Sequence, residues 1–337
     1  MHIDIRTADS QPLRHTFANL QRRFGNKEAS RYQEATYDLQ EAENFHYRPL
    51  WQADKELYDA SRTAIVMADW YVLKDPRQLY YQTYTNTRAR QQEVVDGHFD
   101  FVDKKGLMAT LPADVRELAL RALLPLRHYE WGANMNNGAI TAWGHGSALT
   151  NATTFAMTDR LGLAQSLSRI GLLADGNSGS SLNDAKARWL DDPAWQPLRA
   201  ALEHLFVERD WFRLFVAQNL VFDGLLYPLV YQRFEQRLAA LGGGAIAMLL
   251  TMQSEWYAET VPWVDAVCRA AADESAANRA LIVQWVGDAR RAAREALAPL
   301  ADAMFGAGAD TQIDAVESEF DARLRRIDVI SPSGDQS

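Results

Sequence analysis

The stretch WFRLFVAQNLVFDGLLYPLVYQRF, Trp211 to Phe234, is the longest strongly apolar run in the chain and decides the fold. Its apolar residues cover every face of a 3.6-residue helix rather than one stripe, which is the pattern of a helix wrapped by other helices. A membrane span is the competing reading. Arg213, Gln218, Asn219, Asp223 and Pro228 all fall inside the run, and charges at mid-bilayer are costly, so the segment reads as a buried core helix with no membrane partner. Asp223 is its only carboxylate. That sparseness bears on function, because helical bundles that do oxygen chemistry line their centre with carboxylates and histidines.

Composition sets the limits around this core. A chain of 337 residues that is 47% hydrophobic can bury a sizeable interior, as one large helical domain or two smaller ones. The net charge of -9 and pI of about 5.3 argue against nucleic acid or an anionic membrane as partner, since either calls for a concentrated basic surface. Cys268 is the single cysteine, so no internal disulfide forms. With an N-terminal sequence, MHIDIRTADSQPLRH, that lacks an apolar export core, the expected compartment is the reducing cytoplasm. Within VDAVCRAA, Cys268 reads as a small core residue rather than a nucleophile.

Elements on either side of the core follow from helical spacing and stop signals. Met1 to about Leu50 carries scattered arginines without a sustained stripe and ends in Phe45-His46-Tyr47-Arg48-Pro49-Leu50, which predicts an extended arm over residues 1–52 whose aromatics lie on a partner. A helical domain is expected over 53–329 and a disordered polar tail over 330–337. The spacing predicts a first helix from Asp54 to Val72. Asp75-Pro76 then provides a cap and a first-turn proline for a helix to about Val102, with Tyr80, Tyr84, Val95 and Val102 on one face and Glu93, Asp96 and Asp100 on the solvated other. The helix opened by Leu111-Pro112 is expected to bend at Pro125 and to turn Leu124, His128, Trp131 and Met135 inward, making His128 a buried-face histidine. Further helices are expected over 149–173, from Asp192-Pro193 into the core run, and over 245–272, 276–297 and 311–327. Asp175–Ser181, DGNSGSS, marks the clearest loop. The fold class is all-α.

A carboxylate-bridged di-iron site in such a bundle needs a Glu from each of two helices and a Glu-x-x-His from each of two others, because an i, i+3 pair aims both ligands inward. Of the seven histidines only His46 has a glutamate three residues earlier, Glu43, and that pair sits beside Pro49 in non-periodic sequence. No GxGxxG, P-loop, GxSxG or HExxH occurs, leaving the usual nucleotide, acyl-transfer and zinc-protease readings without support. From the residues alone, the chain is a cytosolic helical protein that binds another protein.

The segments RYQEATYDLQEAENFHYRPLW, ADWYVLKDPRQLYYQTYTNTRARQQ, DDPAWQPLRAALEHLFVERDW and FVAQNLVFDGLLYPLVYQRF extend that reading. Together they resemble the β subunit of the hydroxylase in bacterial multicomponent monooxygenases, in the phenol hydroxylase branch. The resemblance implies a ferritin-like, ribonucleotide-reductase-like helical bundle without the iron ligands of the catalytic α subunit. It aligns Arg127-His128 with the first Glu-x-x-His helix, Pro125 standing where the glutamate would be, and places the second near Tyr257 to Trp263 with no histidine. No catalytic, cofactor or metal residue is therefore expected in this chain.

The resemblance also implies an (αβγ)2 hydroxylase that hydroxylates phenol-type aromatics with O2, with di-iron in α. It implies a reductase passing electrons from NADH through FAD and an iron-sulfur centre, and a small regulatory protein. The unpaired aromatics Tyr47 and Trp51, with Tyr80 and Tyr84, are the candidate contacts to a neighbouring subunit. Two other readings stay open: a free-standing di-iron oxidase using Glu43, His46, Asp223, Glu255 and Glu259, and an unrelated helical scaffold. Which aromatic is hydroxylated is not encoded here, since α shapes that pocket.

Overall fold

Trp211–Ala240 forms one continuous helix at the centre of the computed structural model, which describes residues 18–25, 27, 29–40 and 50–329. The helix is long and apolar enough to cross a membrane, but its most apolar window is entirely buried inside the bundle. Around it, in chain order, run α1 (Ala18–Phe24), α2 (Arg31–Thr36), α3 (Tyr81–Lys104), α4 (Ala113–Leu123), α5 (Leu126–Trp143), α6 (Ser147–Ala174), α7 (Ser180–Asp191) and α8 (Gln196–Leu205). The central helix is α9, and α10 (Thr251–Glu274), α11 (Ala276–Phe305) and α12 (Ala309–Arg326) follow it. No strand occurs among the described residues. α5 and α6 pair closely as a hairpin, and α9 lies against α5, α10, α11 and α12.

The core helix widens twice, into π-helical turns at Val216–Phe222 and Leu229–Phe234, irregularities that insert a residue and re-aim the side chains that follow. Pro228, which has no N–H to give to the helix ladder, immediately precedes the second. α9 ends where Gly242 takes φ +92° and the Gly243 N–H returns 2.7 Å to the Leu238 carbonyl, a left-handed closure that glycine supplies without strain.

The helix expected from Asp54 to Val72 does not form. Only two short 3-10 turns occur there, Ala60–Arg62 and Trp70–Val72. Between them an extended strap hands alternate backbone N–H groups to side chains of the bundle: Ala64 to Asp210 at 2.7 Å, Val66 to Asn278 at 3.1 Å and Ala68 to Glu274 at 2.9 Å. Ile65 and Met67 point inward while Val66 is exposed, so the true period is two, and side-chain acceptors replace the helical ladder.

Other boundaries shift for comparable reasons. Asp75 closes a turn on Gln78 and Arg77 rather than capping a helix, and α3 starts at Tyr81. Pro125 separates α4 from α5 instead of bending one helix. α11 runs past Leu297 to Phe305 with Pro299 inside it. α1 and α2 make part of the expected arm helical, and Phe24, Tyr32 and Tyr37 of that arm lie on the chain's own bundle. Leu20, Tyr32 and Tyr37 form a small core with Phe24, Tyr71 and Tyr80, Tyr37 stacks 5.1 Å from Tyr71, and Asn151 of α6 donates to the Ala35 carbonyl at 3.0 Å. Tyr47, Glu43, His46 and the tail over 330–337 lie outside the described residues.

Candidate functional site

Helices α5, α6, α9 and α10 converge on a polar centre with no solvent access. Arg160 of α6 is fully buried. Its Nη1 donates to Glu130 Oε2 of α5 at 2.8 Å and to the Tyr227 hydroxyl at 3.0 Å, and its Nη2 donates to Asp223 of α9. Tyr227 in turn donates to Glu130 Oε1 at 2.7 Å, and Tyr129 to Asp223 Oδ1 at 2.8 Å. Gln218, held by Asn136 at 2.8 Å, donates to both the Tyr129 hydroxyl and Asp223. From α10, Trp256 lies with its ring 4.3 Å from the guanidinium carbon, and Tyr257 stacks 5.2 Å from Tyr227.

Burial dominates the electrostatics of these groups. It works against the Arg160 charge, but Asp223, then Tyr227 and Glu130, more than offset it, and the guanidinium stays ionised. Burial also raises the Glu130 carboxyl above its ordinary value, against the pull of Arg160 and Tyr227. Tyr129, Tyr227 and Tyr231 are pushed far up by the same cause and remain hydroxyl donors. The centre is thus one cation held between two carboxylates, with neutral phenols completing its hydrogen bonds.

A di-iron centre does not fit these residues. The bundle geometry would require carboxylates on all four helices and two histidines, but only Glu130 and Asp223 supply carboxylates, both already engaged by Arg160. The inward i, i+3 positions are Arg160 and Leu163 on α6, and Tyr257 and Thr260 on α10, all buried. Among the described residues no three His, Cys, Asp or Glu side chains gather as a metal site. The alternative ligand set is dispersed: Glu255 is exposed, Asp223 binds Arg160, and Glu259 binds Arg88 through both oxygens, at 2.9 and 3.0 Å.

Arg88 ties a second network beside the first. It holds Asp159 in a two-pronged pair at 2.7 Å on each arm, and Tyr84 and Trp256 each donate to Asp159 at 2.9 Å. Consecutive residues, Asp159 and Arg160, therefore anchor two different charge clusters. Tyr84, expected at a partner contact, is a core residue here, stacked 4.3 Å from Phe155. Tyr80 is half-buried against the α1–α2 cluster. Trp51 is 38% exposed, with Arg209 5.6 Å from its ring.

The alignment of Arg127-His128 with a ligand helix is corrected by the same geometry. α5 turns Tyr129, Glu130, Ala133, Asn136, Asn137 and Ile140 inward, whereas Trp131 and Met135 are 52% and 49% exposed. His128 stands away from the charged centre, 5.8 Å from Trp189. Burial, then Arg127 and Lys186, pull its pKa down to about 4. A histidine depressed below its ordinary 6.5 leaves stability intact above that pH and removes it as the pH falls towards the folded value. We expect about 1–2 kcal/mol of loss between pH 6.5 and 4 after allowance for partial solvent access. Urea midpoints for His128→Phe should lack that component, and an unchanged pH slope would refute it.

Comparison with known proteins places this architecture. Residues 51–275 match the family described as methane/phenol/alkene hydroxylase. Over 327 residues the chain is 50% identical to the phenol 2-monooxygenase oxygenase component DmpL of Pseudomonas sp. (strain CF600), covering 97% of this chain and 98% of the relative. The chain belongs to the methane/phenol/alkene hydroxylase family. A crystal structure of phenol hydroxylase from Pseudomonas sp. OX1 superposes with a TM-score of 0.91 at 41% identity, over 98% of this chain and all of that one. A more distant member is the propane 2-monooxygenase hydroxylase component small subunit of Mycolicibacterium goodii, 24% identical over 328 residues, covering 90% and 87% of the two chains. The ferritin-like fold and the resemblance to the phenol hydroxylase branch are borne out. As a member of this family the chain is a subunit of a hydroxylase component, a monooxygenase that acts within a complex.

The sequence reading missed Glu130 and Arg160. Glu130 lies on an inward face rich in polar residues, so hydropathy pointed to the opposite side of α5, and Arg160 is a lone cation on an otherwise largely apolar inward face of α6. A usable signal was present: Glu130 and Asp159-Arg160 bracket a run without any charged residue.

Proposed function

We propose that this chain is the non-catalytic β-type subunit of a phenol-class hydroxylase, and that it supports a larger subunit which carries the di-iron site. The observation that carries this reading is Arg160 seated between Glu130 and Asp223. A guanidinium there supplies the positive charge that lets two buried carboxylates coexist, and leaves no ligand set for iron. The bundle then serves as a rigid support for its partner, whose metal geometry tolerates little displacement.

In this reading the complex is an (αβγ)2 assembly in the cytoplasm. It takes electrons from NADH through a reductase with FAD and an iron-sulfur centre, and is tuned by a small regulatory protein. Residues 53–329 act as the supporting domain, with Tyr47 and Trp51 near the subunit contact. Light scattering combined with metal analysis tests the proposal, on the chain alone and co-expressed with its partners. We expect iron only in the large co-purified assembly. Stoichiometric iron in the isolated chain, or no association with an iron-bearing partner, would refute it.

A further inference from the structure

From Trp131 to Thr158 the α5–α6 hairpin contains 28 consecutive residues without an Asp, Glu, Lys or Arg, yet its outer side is not covered. Trp131 and Met135 are about half exposed, Ala142 is exposed, and Gly138 and Ala139 are partly so. Counted from Arg127 these positions fall at i+4, i+8, i+11, i+12 and i+15, a single stripe along one helix. Phe206, 38% exposed, meets Trp131 edge-on at 6.3 Å, and Val207 beside it is 60% exposed. Arg209, two residues further, lies over Trp51, so the stripe continues to Trp51. Trp and Met at the middle of a charge-poor patch, with Arg127 and Arg209 at its ends, are the composition of an interface core. The small residues further along admit a helix at close range.

Charge decides what covers the stripe. Arg127 is half-buried, and its guanidinium forms no ion pair or hydrogen bond among the described residues. Burial alone lowers its pKa, as befits a cation awaiting a counter-charge. A second copy would lay this stripe against itself, but its α5 positions carry no carboxylate, and Lys186, the charged neighbour that with Arg127 acts on His128, has the same sign as Arg127. We propose that the outer stripe of α5, with Phe206, Val207 and Trp51 at its edge, is the docking surface for the large subunit of the oxygenase. That subunit would present an apolar helix stripe ending in a carboxylate opposite Arg127. The inference rests on the subunit reading above and locates its contact.

The full-length chain carrying Trp131→Glu and Met135→Glu tests it, with Val94→Glu on the exposed side of α3 as control. Both sites are open to solvent, so the double variant should melt with the wild type. Its affinity for the large subunit should fall about 100-fold, while the control binds normally. Arg127→Glu should weaken binding by about tenfold at low salt and by less at high salt, where screening relieves the repulsion that replaces the attraction. Wild-type affinity in the double variant overturns the assignment. So does a wild-type homodimer that the double variant dissolves without affecting the complex. A wild-type chain that never binds the large subunit is a distinct result, and removes the subunit reading together with this one.

Discussion

Replacing Arg160 by leucine is expected to destabilise the isolated chain by about 3–5 kcal/mol, because it strands the buried Glu130 and Asp223 carboxylates without a counter-charge. Tyr129, Tyr227 and Gln218 remain as donors, but they cannot neutralise two charges. Denaturant unfolding reads the loss directly. The triple variant Arg160→Leu, Glu130→Gln, Asp223→Asn should recover more than half of it, since the stranded charges are gone. Arg160→Lys should keep the fold at an intermediate stability, its single ammonium being unable to span both carboxylates as the guanidinium fork does. A loss below about 1 kcal/mol for Arg160→Leu would mean that the centre is held by packing alone.

Arg88→Met should cost about 3 kcal/mol, as it releases two carboxylates at once, one of them in a buried two-pronged pair. Asp159 would keep its bonds from Tyr84 and Trp256, while Glu259 would keep Gln91 and the longer contact to Arg77 at 3.6 Å. The variant should also change the acid limb. Burial favours the neutral form of Glu259, but Arg88, then Arg77 and Gln91, hold its carboxyl below the ordinary 4.5. A depressed carboxylate contributes stability that is present above its unfolded value and disappears as the pH falls through its folded value. The wild type should therefore lose stability below about pH 4.5 more steeply than Arg88→Met. Parallel acid limbs would show that Arg88 does not set the ionisation of Glu259.

Much of the fold was legible because apolar periodicity reports burial where the interior is greasy. The run from Trp211 to Phe234 is as buried as its composition requires, and Glu93, Asp96 and Asp100 face solvent on α3. Periodicity misled at two places for the same reason, namely that polar groups were satisfied out of register with hydropathy. In the strap from Ala64 to Ala68, distant side chains accept the backbone N–H groups, so helical spacing of apolar residues carried no information about the backbone. On α5 the buried side is built from Tyr129, Glu130, Asn136 and Asn137, while Trp131 and Met135 face outward. Family resemblance pointed to the bundle fold but set the ligand helix at His128, two residues and one helix face away from Glu130. The position of a ligand site follows from which side chains meet, and Arg160 meets both carboxylates only after α6 folds back along α5.

Cys268 sits at the opposite extreme of accessibility from the docking stripe, with no exposed surface and a thiol whose ionisation burial pushes far out of the neutral range. A thiol reagent can reach it only when α10 is exposed, so the chain contains its own reporter of opening. Because it is the sole cysteine, a single alkylation rate, followed in the free chain and in the assembled complex, would compare how often the bundle breathes in each state. Protection gained on assembly would measure how firmly partners clamp the subunit, without any label being introduced.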